Sequence, residues 1–283
     1  MCTALRYGSL FGRTLDLEYD LGQTPTVMHG DGYDILGMAI TRNGHRLFFD
    51  GVNSRGLAGA ALNFEGCACY RALGHGTPIP SYELLPRTLL CCATVDEAEE
   101  MLKEVNITND DFSSELKSTP LHFAFADKCR SIAVEQTQSG MTVYKNPTDV
   151  LTNSPEFPAQ MLNLTNYISL SARPPKNTLC PELELTPYCR GMGAIGLPGD
   201  CSSPSRFVRA AFNLKNAAMV DDADSATEQF FHICDSVSQI KGCNELDNGM
   251  QVYTIYSVCY DLVNISLSLT AYNDRSIKRH HLK

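Results

Sequence analysis

Short apolar runs separated by turn signals mark the first part of the chain. Runs at 36–41, 47–49 and 57–64 are divided by Asn43-Gly44 and by the 53–56 segment. Asn-Gly between apolar runs predicts a hairpin, so this stretch reads as antiparallel strands, with Asn63 closing the last of them. A second meander is predicted at 121–126, 131–136 and 141–144, broken at Asp127-Lys128 and Ser139-Gly140. Between the two sets, 94–105 opens on a Thr94-x-x-Glu97 capping box and places Ala98, Met101, Leu102 and Val105 on one face, which predicts an amphipathic helix. A second helix is expected after Pro198-Gly199-Asp200, with Ser203 as N-cap, Pro204 in the first turn and Phe207, Ala210, Ala211 and Leu214 as its buried stripe. A third covers 225–237. Strands at 252–260 and 264–272 follow, and then a polar tail. Strands, helix, strands, helices and strands give an α+β layout in which helices pack on antiparallel sheets. With no linker or repeat in view, residues 1–283 are expected to form a single domain.

Composition narrows the function. The 283 residues are 43% hydrophobic, enough for a full core. A net charge of -9 and a pI near 5.2 speak against a nucleic-acid partner, whose surface would carry clustered Lys and Arg. Residues 1–30 show no basic-then-apolar leader, and apolar runs such as 89–95 are far too short for a span, so a cytoplasmic protein without a membrane partner is expected. Twelve cysteines spread over this length are expected to be reduced thiols. Cys67, Cys69 and His75 lack the usual spacing of a metal site, and no metal is expected. Gly191, Gly193 and Gly196 match G-x-G-x-x-G, but Leu197-Pro198 follows where a helix should begin, which removes the dinucleotide reading.

One position offers chemistry of its own. Cys2 follows the initiator methionine, so removal of Met1 would leave a thiol and a free α-amine on the same residue. Ordinary values near ~8.5 for a thiol and ~8 for an α-amine make proton transfer between them cheap. A single residue then supplies nucleophile and base.

Five segments in order resemble the choloylglycine hydrolase family, the conjugated bile acid hydrolases and penicillin V acylases among the N-terminal nucleophile hydrolases. They are Met1-Cys2-Thr3; Phe11-Gly12-Arg13-Thr14-Leu15-Asp16; Gly59-Ala60-Ala61-Leu62-Asn63-Phe64; the stretch from Val150 through Asn153 to Phe157; and Gly196-Leu197-Pro198-Gly199-Asp200 with Ser205-Arg206-Phe207 beyond it. The resemblance covers nearly the whole chain and implies an αββα sandwich of two antiparallel sheets between helical layers. It makes Cys2 the nucleophile, Arg13 the cation beside the sulfur, and Asp16 the carboxylate that orients the amine. Because residues three apart on a regular strand face opposite ways, Arg13 and Asp16 are expected to need a bend or bulge between them. Asn63 and Asn153 become donors to the oxyanion, Arg206 the arginine facing the catalytic centre, and Leu15 a lining residue of the acyl pocket. A cation in a helix's first turn opposes the macrodipole, so Arg206 needs some further reason for its place. Arg209, one turn on, reads as a solvated or interface charge.

The implied reaction is hydrolysis of glycine- or taurine-conjugated bile acids without a cofactor. Asn63 favours this over penicillin V acylase, where Tyr is common. A low-activity bile-acid-binding homologue is the reading from another class, because the segment between Cys2 and Arg13 is several residues shorter than is usual in the family. The family also implies a homotetramer joined through a loop at about 173–196.

Overall fold

The computed structural model describes residues 1–71 and 74–282. The chain opens with β1 (Cys2–Tyr7), β2 (Leu10–Leu17), β3 (Thr24–Met28), β4 (Ile35–Arg42), β5 (His45–Asn53) and β6 (Ala58–Asn63). Next come β7 (Thr77–Pro80), α1 (Ser81–Cys91), α2 (Val95–Lys103), β8 (Val105–Thr108), β9 (Leu121–Ala126), β10 (Ser131–Thr137), β11 (Gly140–Lys145) and β12 (Val150–Leu151). Helices α3 (Phe157–Leu164), α4 (Ser203–Asn216) and α5 (Ala223–Asp235) precede β13 (Tyr253–Asp261), β14 (Ser266–Ala271) and β15 (Asp274–His281).

Two antiparallel sheets carry the fold. One has the order β12-β1-β2-β13-β14-β15 and the other β11-β10-β9-β6-β5-β4-β3, with β7 and β8 as a separate parallel pair. Helices α4 and α5 cover the outer face of the first sheet through Phe207, Ala210, Phe230 and Cys234. Helices α1 and α2 cover the second through Leu84, Leu85, Leu89, Ala98 and Leu102. Between the sheets, small side chains at Ala58, Ala60, Ala124 and Ala133 face Ala4, Phe11, Leu15 and Val258. The result is the αββα order implied by the sequence.

Local chemistry explains the details that matter for the site. The β1–β2 turn is reduced to Gly8-Ser9, with Tyr7 opposite Leu10 and Gly8 at φ 60, so the shortened hairpin is a two-residue turn. Gly12 tolerates no side chain, since a Cβ there would stand 1.9 Å from the Val258 carbonyl oxygen on β13. The capping Thr94 accepts from Glu97 N as expected, while the Glu97 carboxylate reaches Ala93 N.

Three expectations are corrected. Ser202, not Ser203, occupies the N-cap of α4, because the Ser203 hydroxyl is taken by Asn153 N and by Gln160. The polar tail is the edge strand β15, held by β14 although its own side chains are mostly exposed. Arg209 is half-buried rather than simply solvated: it donates to Ser236 O at 2.6 Å and Pro198 O at 2.6 Å, tying the loop before α4 to the end of α5.

Candidate active site

Cys2 begins the central hairpin of the first sheet and is 3% exposed. Its cross-strand partner is Leu15, and that of Ala4 is Arg13. Directly paired residues share a face, so the thiol, Leu15 and Arg13 all look into the space between the sheets. Arg13 is fully buried there. Its Nη1 donates to Ala61 O at 2.5 Å and Phe49 O at 3.2 Å on the opposite sheet, and Nε donates to Thr14 O at 3.3 Å. Nη2 has no partner among the described residues. Burial opposes the guanidinium charge, but Cys2, Tyr256, Asp50 and Asp16 around it hold its pKa above the ordinary value. A cation fixed by carbonyls, with one arm free near a thiol, favours the thiolate.

Asp16 occupies the other face of β2. Its Oδ1 accepts from Thr254 Oγ1 at 2.7 Å and its Oδ2 from Gln239 Nε2 at 2.8 Å. No bend separates it from Arg13, because β2 runs in unbroken register against β1. The irregularity lies in β13, where Asp16 faces Thr254 and Leu15 faces Tyr256, leaving Ile255 over. That extra residue turns Thr254 toward Asp16 while Tyr256 points between the sheets. Arg13 and Asp16 thus stand on opposite faces of the hairpin that ends in Cys2.

Asn153 and Arg206 complete the cluster. Cys2 N donates to Asn153 Oδ1 at 2.7 Å, and so does Arg206 Nη2, also at 2.7 Å. Both partners are donors only, which fixes the amide oxygen on this side. Asn153 Nδ2 donates to Asn63 O at 2.7 Å. Arg206, fully buried, also donates to Cys2 O at 2.6 Å, Thr3 Oγ1 at 2.7 Å and Cys201 O at 3.0 Å. These carbonyls justify a cation in the first turn of α4. Burial pulls the Arg206 pKa down, and the proximity of Asp16 and Cys2 opposes that. Asn63 Oδ1 accepts from Glu65 N at 2.9 Å as in a strand-end turn, and among the described residues its Nδ2 has no acceptor. Met1 is in place, its N donating to Asp16 O at 2.6 Å.

Behind the two asparagines lies a support that nothing in the sequence announced. His122 Nε2 is 2.9 Å from Thr152 O, its Nδ1 is 3.1 Å from Glu135 Oε1, and Phe64 stacks on its ring at 4.2 Å. Glu135 also accepts from Phe157 N at the start of α3, so one buried pair pins the backbone on both sides of Asn153. An apolar cavity of about 290 Å³ opens beside the Arg13 contacts, lined by Leu17, Leu21, Phe49, Ala61, Tyr82 and Phe112 among others. Leu15 is core, at 2% exposed, and is not one of its lining residues; Leu17 and Leu21 supply that surface.

Comparisons with known proteins identify the family. Residues 2–283 match the linear amide C-N hydrolases, choloylglycine hydrolase family. The chain belongs to the choloylglycine hydrolase family. It is 39% identical over 279 residues to a bile salt hydrolase/transferase of Lactiplantibacillus plantarum, covering 93% of this chain and 86% of the relative. A point variant of the conjugated bile acid hydrolase from Clostridium perfringens superposes with a TM-score of 0.91 at 30% identity, covering 100% of this chain and 92% of the other. Penicillin V acylase from Agrobacterium tumefaciens shares the fold, with a TM-score of 0.76 at 18% identity over 100% of this chain and 86% of that one.

Within this choloylglycine hydrolase family member, hydrogen bonds join Cys2, Asn153, Arg206 and Asn63, while Arg13 comes close through its face of the sheet. Gln239, Thr254, Ser203 and His122 are the supporting residues that sequence reasoning missed. Among the described residues, no helix is long and apolar enough to cross a membrane.

Proposed function

We propose that the protein hydrolyses the amide bond of glycine- or taurine-conjugated bile acids, with Cys2 as nucleophile after loss of Met1. The observation that carries this reading is the grip on Cys2: Asn153 holds its nitrogen, Arg206 its carbonyl, and its thiol shares a face with Arg13. Cleavage of Met1 turns that held nitrogen into a free α-amine without moving it.

The amine takes the thiol proton, and the sulfur attacks the substrate's amide carbonyl to form a C–S bond. Asn63 Nδ2 and the second N–H of Asn153 donate to the developing oxyanion; one such donor contributes roughly 3 kcal/mol to lowering the barrier. Collapse breaks the C–N bond as the α-ammonium passes its proton to the departing amino acid. Water then attacks the thioester, gives a proton to the α-amine, and the C–S bond breaks as the thiol recovers that proton. Arg13 stabilises the thiolate, Asp16 orients the amine's end of the hairpin, and Arg206 fixes the nucleophile's backbone. The cavity edged by Leu17 and Leu21 receives the steroid, in place of the surface assigned to Leu15. Every proton moves between groups of this chain and the reactants, so no cofactor enters.

Purified protein given glycocholate and taurocholate is expected to release glycine and taurine. Release from penicillin V alone would replace the reading by an acylase; saturable bile-acid binding without turnover would favour the binding homologue.

The same reading extends to assembly as a homotetramer through 173–196. That segment exposes Leu179 and Tyr188 at 89% and 85%, along with Leu183, Leu185 and Ile195. Light scattering is expected to give about four times the 31.1 kDa chain mass, and a monomer would contradict it.

A further inference from the structure

Arg13 has a second anion beside it that the reaction as written does not use. Asp50 of β5 is fully buried between the sheets, with Oδ2 3.9 Å from Arg13 Nε. Tyr256 donates its hydroxyl to Oδ2 at 2.6 Å, and the Tyr260 hydroxyl donates to Oδ1. A bulge builds the arrangement: Asp50 pairs with Met38 and Phe48 with Ala39, leaving Phe49 over in β5. Without that extra residue Phe48 and Asp50 would share a face. With it, Phe48 packs into the cluster under α1 while Asp50 turns inward to meet Tyr256. The bulged Phe49 also supplies a carbonyl to Arg13.

Asp50 is not required to hold Arg13 in place, because three backbone carbonyls, those of Thr14, Phe49 and Ala61, already do so. Its contribution is charge. Two buried cations, Arg13 and Arg206, have two buried aspartates, Asp16 and Asp50, in their neighbourhood, while the third buried carboxylate, Glu135, is engaged by His122 and Phe157 N. While Asp50 is ionised, the field of Arg13 is divided between that carboxylate and the sulfur. We propose that Asp50, acting through Arg13, sets the pH range over which the Cys2 thiol ionises and the enzyme works. This inference rests on the reading of Cys2 as nucleophile.

The charged and titratable groups facing the cluster between the sheets are Arg13 from β2, Tyr256 and Tyr260 from β13 and Cys2 from β1, while Asp16 on the opposite face of β2 and Arg206 from α4 act from beyond the hairpin. Met38 and Ala60, paired with Asp50 on either side, carry none. Burial pushes the Asp50 carboxyl above its ordinary range, and Arg13 and the two hydroxyls pull it back. Burial also holds both tyrosines well above theirs, so they remain neutral donors. Removing the negative charge frees Arg13 for the sulfur, which lowers the thiol pKa and moves the acidic limb of activity to lower pH.

The test compares wild type with Asp50→Asn after loss of Met1. Iodoacetamide labelling of Cys2, read peptide by peptide by mass spectrometry, is followed against pH, and kcat/KM for conjugate hydrolysis is measured in parallel. Both the labelling midpoint and the acidic limb are expected to fall by about one pH unit, the size for one unit charge about 10 Å away at an effective dielectric near 20. Tyr256→Phe withdraws one hydrogen bond from the carboxylate and is expected to shift both midpoints the same way by less, which decides the matter if Asp50→Asn does not fold. Midpoints that stay put, or rise, in a folded variant overturn the proposal whatever happens to the rate. If wild-type Cys2 is not labelled ahead of the other thiols and hydrolysis survives Cys2→Ala, the nucleophile reading itself falls and takes this inference with it.

Discussion

Cys2→Ala is expected to cut kcat/KM for glycocholate and taurocholate by at least about 10³-fold while leaving the fold in place. Removing the nucleophile of a hydrolase in which nucleophile and base act as a unit costs on the order of 10⁶ in kcat in the best-measured case, so about 10³ is a lower bound. The structural cost is small. The side chain lost is one sulfur from a site 3% exposed, and the contacts that fix the residue, Cys2 N to Asn153 and Cys2 O to Arg206, are made by backbone and survive. Product release followed by chromatography, beside a thermal melt of both proteins, separates the two effects. A variant that keeps its rate would remove Cys2 from the mechanism.

Arg206→Met is expected to damage stability and catalysis together. Four acceptors would lose a donor: Cys2 O, Thr3 Oγ1, Asn153 Oδ1 and Cys201 O. Leaving a buried acceptor unpaired costs about 1–3 kcal/mol, so a total loss of about 3 kcal/mol or more is expected, read by denaturant unfolding. At a temperature where the variant is folded, kcat is expected to fall about 100-fold with KM little changed. The guanidinium donates to protein acceptors around Cys2, and the proposed role is to orient that residue rather than to bind substrate. Arg206→Lys keeps the charge but cannot span acceptors in three directions, and is expected to recover only part of the loss. A rise in KM with kcat intact would assign Arg206 to substrate binding.

How far these residues could be read from the sequence depended on the kind of force involved. The strands from 36–64 and 121–144 were legible because most of them are buried on both faces, so they read as short apolar runs that end on Gly, Asn and Asp. β15 was not: an edge strand buries so little of itself that Asp274–His281 carries almost no apolar signal. Helix α1 was hidden by Pro86, which reads as a breaker but sits inside the helix. The order of motifs implied, by resemblance, a common site for Cys2, Arg13, Asp16, Asn63, Asn153 and Arg206, of which hydrogen bonds join Cys2, Asn63, Asn153 and Arg206. What holds them was out of reach, since Gln239 and Thr254 meet Asp16 across 223 and 238 positions of chain. Ser203 shows the limit from the other side. A serine before a proline at a helix start reads as an N-cap, and only the fold reveals that its hydroxyl is committed to Asn153.

Intact mass, taken on active protein mixed rapidly with taurocholate, tests the central claim most directly. The account predicts a chain lighter by one methionine, and a transient species heavier by one acyl group attached at Cys2. Full activity from a chain that still carries Met1, with no acyl group ever found on Cys2, would contradict it.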